Sequence, residues 1–485
     1  MVSSFDVDFR QPFNRFKLAL PSLVMPDLEL NIPWFGIQIL DARPSYTPFT
    51  VSGINIRGGA LDFKPGPVRL SVAGGQVQRA VAGSDTTDVA YRRWLTAGRF
   101  GFGKEEQTHL YLHFLKAWDD SASIHPYLGF IVGEDQIDTV ELAAPIENSV
   151  VSLEGKLSYL DNKLSFEGEL AGSAYNRDSR APIFKNELID WFPTAIFQPR
   201  ITTQVDWAAR LGSEFSLGST QFGLEFEQVG WGFESVGVSF LDQDTRTMSV
   251  NFSQMFSKPF PISIDLTGEY SQDNLDGMKP VRTNTQTWTM NLGIYPEKFP
   301  TFNIGYAPCI RSAPEGPEGL TDEVDDINQT MWASSGYSFN IGERAQNLGI
   351  SFSLNTTDDR VNSRNDLISW NVGLNGGHEF IEMLSAQWSA GLNRTEGADT
   401  SNQFDTGLGV TVSLWENRWR TSLDGFFQTT AGSPENRITL RLNSGLAVFK
   451  SFAIDATGQF IYYKAESADE DYTEFLIRSG VSYSW

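Results

Sequence analysis

From about Leu28 onward the chain repeats one pattern: a stretch of alternating hydrophobicity, then a turn signal. Ile438, Leu440, Leu442, Leu446 and Val448 alternate with Arg437, Thr439, Arg441, Asn443 and Gly445. Phe404, Leu408, Val410, Val412 and Leu414 alternate in the same way with Asp405, Gly407, Gly409, Thr411 and Ser413. Ile368, Trp370, Val372 and Leu374 oppose Ser369, Asn371, Gly373 and Asn375, and Ile262, Ile264 and Leu266 oppose Ser263, Asp265 and Thr267. A period of two places all apolar side chains on one face of a strand and all polar ones on the other.

The connections between these stretches are of two kinds. Short turns occur at KPGP, KEEQ, LDNK, LGST, SKPF, YPEKFP, GERAQN, FIEM, WENR and VFKS. Between them lie longer polar connections such as RSAPEGPEGLTDEVDDIN, TTDDRVNSRND, RTEGADTSNQ and AESADEDY. Short turns on one side and long loops on the other is the sidedness of a membrane barrel, with periplasmic turns and extracellular loops. The short turns bracket strands over residues 51–460. One more strand at residues 472–485 and one at NIPWFGIQILDA (residues 31–42) bring the expected number to about 22, within roughly 20–24. The fold expected is all-β, a single closed antiparallel transmembrane β-barrel over residues 28–485. Its last strand is expected to pair with residues 31–42. Residues 1–27 are set aside as a periplasmic or lumenal N-terminal extension, too short for a plug domain.

A soluble propeller or β-helix also has many short strands, but its inward faces must be densely apolar. Here the polar face carries Arg, Glu, Asp, Asn and Ser strand after strand, which a packed core cannot accept. Composition agrees with strands: Phe 35, Tyr 14, Trp 13 and Gly 43 among 485 residues suit pleated surfaces and the turns between them. Mean hydropathy is −0.25, and no apolar run approaches the ~18–20 residues of a spanning helix. Neither excludes a barrel, whose strands are apolar on one face only.

The net charge of −23 makes nucleic acid a poor partner. The single cysteine, Cys309, excludes an intrachain disulfide framework and a cysteine-based metal cluster. The N-terminus, MVSSFDVDFRQPF, lacks a basic segment followed by an apolar one, so the sequence reads as a mature form without its export leader.

The last residues, SGVSYSW, resemble the C-terminal β-signal of Gram-negative outer-membrane proteins, with apolar groups at Trp485, Tyr483, Val481 and Ile477 and a departure at Ser479. The stretch at residues 52–80, SGINIRGGALDFKPGPVRLSVAGGQVQRA, resembles an early hairpin of Bacteroidota-type barrels of no established function. The first resemblance implies an outer-membrane location and membrane lipid and lipopolysaccharide as surroundings. It also implies recognition by the barrel-assembly machinery through the last strand. Tyr483 and Trp485 would then face lipid at the periplasmic interface.

Chemistry is sparse. The chain has no nucleophile elbow, zinc-protease, P-loop or EF-hand motif, so no catalytic residue and no cofactor are assigned. Of the four histidines, His109 and His113 share one strand face; a metal pair and a lumenal or belt position near a turn are both open readings. Charged residues on the polar faces form two sets. Arg57, Arg69, Arg93, Arg99, Arg437, Arg441 and Arg478 would make a basic wall where first and last strands meet. Glu154, Glu167, Glu169, Asp206, Glu214, Glu225 and Glu227 would make an acidic arc. The two could set a transverse field across a water-filled pore, or simply pair locally across strands. Two loops are unusually long, residues 119–149 and 176–200; the second, rich in Ile, Phe, Trp and Pro, suits an inward constriction, a lid or a docking surface. The expected function is a pore for passive diffusion of small polar solutes or ions. The alternative is a plugged barrel that anchors surface or secretion partners in the periplasm or outside the cell.

Overall fold

The computed structural model describes residues 3–11, 15–19, 28–32, 34–84, 87–124, 132–133, 136–137, 144–184, 197–316, 323–397, 400–433, 435–449, 452–465 and 471–483. For residues 3–11, 15–19, 28–32, 82–84, 87–89, 132–133, 136–137 and 481–483 only the backbone is described. Among these residues a single 25-stranded sheet dominates, antiparallel at every junction, and two small hairpins lie apart from it.

Twenty-two of its strands run in chain order from Phe35–Ala42 to Tyr472–Tyr483, each paired to the next along the sheet. They are long, up to 18 residues at Val324–Ile341, enough to cross an apolar layer and stand clear of it. The turns on one rim are tight. Gly218 and Gly342, at φ 62° and 66°, take the left-handed conformation that two-residue turns demand and that a side chain resists.

The sheet ends differ from expectation. The last strand pairs not with residues 31–42 but with Ser3–Gln11, whose second edge is taken by Arg15–Ala19. On the other side, Leu28–Ile32 covers Phe35–Ala42. Residues 3–11 and 15–19 are therefore part of the sheet rather than an extension outside it. The reason is legible in SFDVDFRQ, where Phe5, Val7 and Phe9 alternate with Asp6, Asp8 and Arg10 as in any later strand. A last strand left unpaired within lipid would expose a row of backbone donors and acceptors, and this hairpin satisfies them.

The two outermost strands, Arg15–Ala19 and Leu28–Ile32, run in the same direction, from the long-loop rim toward the short-turn rim. The first covers the half of its neighbour nearest the long loops, the second the half nearest the turns. A flat sheet of this many strands at ~4.8 Å spacing is about 115 Å wide. Residues 19 and 28 are close enough in the chain that their Cα atoms lie within about 30 Å. The sheet must therefore curl until its edges lie within that distance, as in a barrel.

Candidate pore lining

In an antiparallel pair, directly opposed residues share a face. Asp62, Ser71, Arg99, His113, Ser152, Ala171, Ala208 and Val229 are opposed in turn and lie on one face. That face is the inner one, because two non-strand segments, residues 43–55 and 230–243, pack against it. Phe49, Val51, Leu95, Leu115, Val150 and Phe233 are all fully buried there. The opposite face is exposed and apolar: Leu112 stands opposite Leu153 and Leu153 opposite Leu170, Ile264 opposite Leu292 and Leu292 opposite Ile304, Leu423 opposite Leu442. A belt of this kind running round the sheet far exceeds any apolar patch a soluble monomer exposes, and it is the surface that lipid covers.

The two inward segments form one filler. Ser52 donates to Gly237 O at 2.8 Å, and Ser239 donates back to Ser52 O at 3.1 Å. The Phe49 and Phe233 rings meet edge to face at 5.8 Å. Wall groups hold the filler from behind. Asn148 Nδ2 donates to Glu234 O at 2.9 Å and its Oδ1 accepts from Val236 N at 3.0 Å, while Gly232 N donates to Asp206 Oδ2 at 2.7 Å. At Gly237 a Cβ would stand 2.1 Å from Thr50 O and 2.2 Å from Leu115 Cδ1, so only glycine allows this approach. Among the long connections, the sequence pattern singles out residues 119–149 and 176–200 but not 230–244. The signal passed over there is apolar content, with Trp231, Phe233, Val236, Val238, Phe240 and Leu241 in one loop. Of the long loop 176–200, residues 185–196 lie outside the described residues. Its two stems are stitched together, Phe184 N to Pro199 O at 3.0 Å and Ile201 N to Pro182 O at 3.1 Å.

The predicted charged residues fall as follows. Glu154, Glu167, Glu169, Asp206, Glu214, Glu225 and Glu227 all occupy inner-face register positions. Three of the seven are paired with basic groups across strands. Arg210 bridges Glu225 at 2.8 Å and Glu167 at 3.7 Å, Lys156 reaches Glu167 at 3.4 Å, and Glu154 is held by both histidines. On the basic side, Arg69, Arg93, Arg99, Arg437, Arg441 and Arg478 are inner-face positions. Arg57 is not. It is opposed to Asp41 and Gln76, lies one residue out of phase with buried Ile56, and its guanidinium stands 3.9 Å from Asp41 on the outer face. Arg93 is committed to Asp119 at 2.7 Å. Arg99, only 5% exposed, bonds Glu105 at 3.0 Å and lies between the rings of Tyr46 and Tyr111, 5.3 and 5.4 Å from their centroids. Arg437 and Arg441 are exposed on the inner face.

His109 and His113 both reach Glu154, His109 Nε2 to Oε1 at 3.2 Å and His113 Nε2 to Oε2 at 2.9 Å. His109 sits beside the short turn, where its Nδ1 lies 3.0 Å from Gln107 O, and His113 is fully buried beneath Tyr46. Among the described residues no three His, Cys, Asp or Glu side chains converge as metal ligands. Cys309 accepts from Thr287 Oγ1 at 3.6 Å across one strand pair of the inner face. Of the terminal signal, Ile477 is on the exposed outer face, Val481 and Tyr483 are described by backbone only, and Trp485 lies outside the described residues.

On the far side of the barrel no filler covers the inner face among the described residues. From Thr245–Phe256 to Phe452–Lys464 it presents mostly Asn, Gln, Ser, Thr, Asp and Gly, as in the opposed series Asn251, Thr267, Thr289 and Ser353, Asn371, Asn393, with Trp332, Phe426, Arg437 and Arg441 among them. An apolar outer belt, a polar inner face and turns and loops on opposite rims define a membrane-spanning β-barrel of the outer-membrane type. No family model and no curated protein sequence matches the chain. Among solved structures it is similar to OccAB4 of Acinetobacter baumannii, at 9% identity over 81% of this chain and 97% of that one, with a TM-score of 0.36. It is similar also to the copper transporter OprC, at 9% identity over 93% and 85% with a TM-score of 0.38, and to the ferric-catecholate import receptor Fiu of E. coli K12, at 10% over 99% and 81% with a TM-score of 0.33. At such scores nothing about ligand or mechanism passes from them to this chain.

Proposed function

We propose that the protein is an outer-membrane channel through which small polar solutes and ions diffuse passively. The observation that carries this reading is the division of the inner face. Strands up to Thr220–Val229 are covered by the filler of residues 43–55 and 230–243, whereas the strands beyond present hydroxyl, amide and charged groups with no covering segment among the described residues. A wall of this composition favours a water-filled path, because an unhydrated one would leave those groups without partners. Arg437 and Arg441 stand on that open wall, so they, rather than the buried Arg99, bear on ion selectivity.

The second reading, a plugged barrel that anchors surface or secretion partners, draws on the same filler. The two make opposite demands on one experiment. Purified protein inserted in planar bilayers should give discrete, ohmic conductance steps; a protein that inserts and carries no current at any voltage refutes the channel and leaves the anchor.

A further inference from the structure

We propose that the open wall carries a binding track for a neutral, polyhydroxylated solute, a linear oligosaccharide, in the half of the sheet between residues 338 and 457. This rests on the channel reading and names the class of solute it takes. The first support is a checkerboard of glycines and polar side chains. Where a Cβ of Gly377 would stand, Asn347 Oδ1 lies 2.6 Å away, and Asn375 Oδ1 lies equally near that of Gly349. Asp405 Oδ2 stands 2.5 Å from the corresponding point at Gly391, and Asp424 Oδ1 and Gln387 Cγ stand 2.5 and 2.9 Å from that at Gly409. Each polar side chain thus lies flat over the bare backbone of a glycine on the neighbouring strand. It occupies volume that any other residue would fill.

The consequence is a trough rather than a bristling surface. A hollow of about 630 Å³ runs across these strands, and a second of about 410 Å³ continues it, sharing Gln387, Thr411 and Asp424 and adding Arg420, Asn443 and Asp455. Its floor alternates donors and acceptors. Gln387 Nε2 donates to Asp424 Oδ1 at 3.3 Å, Ser422 Oγ to Asp424 Oδ2 at 3.2 Å, and Asn443 Nδ2 to Ser422 Oγ at 3.3 Å. Both charge signs are present, Glu379, Asp424 and Asp455 with Arg420, so the trough is mixed in sign rather than uniformly charged. Alternating amides and carboxylates suit vicinal hydroxyls, each both donor and acceptor.

An aromatic platform is the second, independent support. Phe426 lies on the same inner face, opposed to Gly407, and stays 47% exposed, its ring edge 3.1 Å from where a Gly407 Cβ would stand. A phenyl ring on a polar wall gains nothing from water, but its face suits the C–H face of a pyranose.

The test uses the detergent-purified full chain with maltohexaose as probe and a polyethylene glycol of matching length as control. Titration calorimetry reads the site and bilayer current reads the channel. The expected result is saturable binding of maltohexaose but not of the glycol, with matching saturable block of current. Phe426→Ala should weaken binding about fivefold to tenfold, the loss of one aromatic contact. Gly409→Ala, whose methyl forces Asp424 and Gln387 off the wall, should weaken it similarly. Gly458→Ala, whose methyl meets nothing within 4 Å, should leave it unchanged and reports on folding. Conductance without binding overturns the saccharide track and leaves the channel. Binding without conductance overturns the channel and leaves the site. Equal binding of the glycol overturns the assignment of solute class.

Discussion

The assignment of faces has a direct energetic consequence at two adjacent residues of strand Arg344–Asp359. Ile350 is 50% exposed on the outer face, opposed to Leu374 and Ser335, whereas Ser351 is on the inner face, opposed to Gly373 and Ser334. Ile350 lies six residues beyond the strand's short-turn end; at ~3.3 Å per residue and a tilt of ~40° it stands about 15 Å above that rim, near the middle of an apolar band ~25 Å tall. Arginine there should cost about 3 kcal/mol for the charge in lipid, with about 1 kcal/mol more for the lost isoleucine burial. Arginine at Ser351 reaches water across a glycine and should cost under about 1 kcal/mol. The expected difference is therefore about 3 kcal/mol, or more than a hundredfold in the folding equilibrium. It is measured by reversible denaturant titration of each variant in phospholipid vesicles. Equal costs for the two variants, or a larger cost at Ser351, would refute both the inner–outer assignment and the lipid belt built on it.

Three further outcomes follow from the same geometry. Arg441→Gln should shift the reversal potential in a salt gradient toward cations, whereas Arg99→Gln, under the filler and already bonded to Glu105, should leave it unchanged; the opposite ranking would place the path on the filled side. With Cys309→Ser as background, cysteines at Ser52 and Val238, opposed in a parallel bridge, should form a disulfide on oxidation without changing conductance, and a current that rises on reduction would mean the filler moves. Glu154→Ala removes the shared partner of His109 and His113, leaves His113 buried without it, and should destabilise the barrel by about 2–4 kcal/mol; in a His113→Asn background the same change should cost visibly less, as read by thermal unfolding.

Much of the architecture was legible in the chain because a membrane barrel is read strand by strand. Alternation at Ile438–Val448 or Phe404–Leu414 assigns each residue a face without reference to any other strand. The two kinds of connection then orient every strand. Most of the charged positions assigned to the interior are there for that reason. Arg57 fails because it shares the parity of Leu61 and Phe63, which are exposed on the outer face, whereas buried Ile56 shares that of Asp62; the glycines at 58 and 59 between them carry no side chain that marks the alternation in the sequence. The N-terminal strands were passed over although Phe5, Val7 and Phe9 alternate as clearly as any, because no short turn marked them.

What the sequence by itself determined is local: strand, face, rim, and hence the class of protein, since each follows from a period of two and from turn chemistry. What only the tertiary structure decided is which surfaces meet across the interior. Residues 43–55 and 230–243 lie far apart in the chain, and nothing in either declares that Ser52 will bond Gly237 or that both will cover one wall. The pairing of His109 and His113 on one carboxylate, and the glycines beneath Asn347, Asn375 and Asp424, are likewise properties of strand register, which a one-residue slip would abolish. The period of the side chains defines a pore wall; the register of the strands and the two segments that fold inward define what shape that wall encloses.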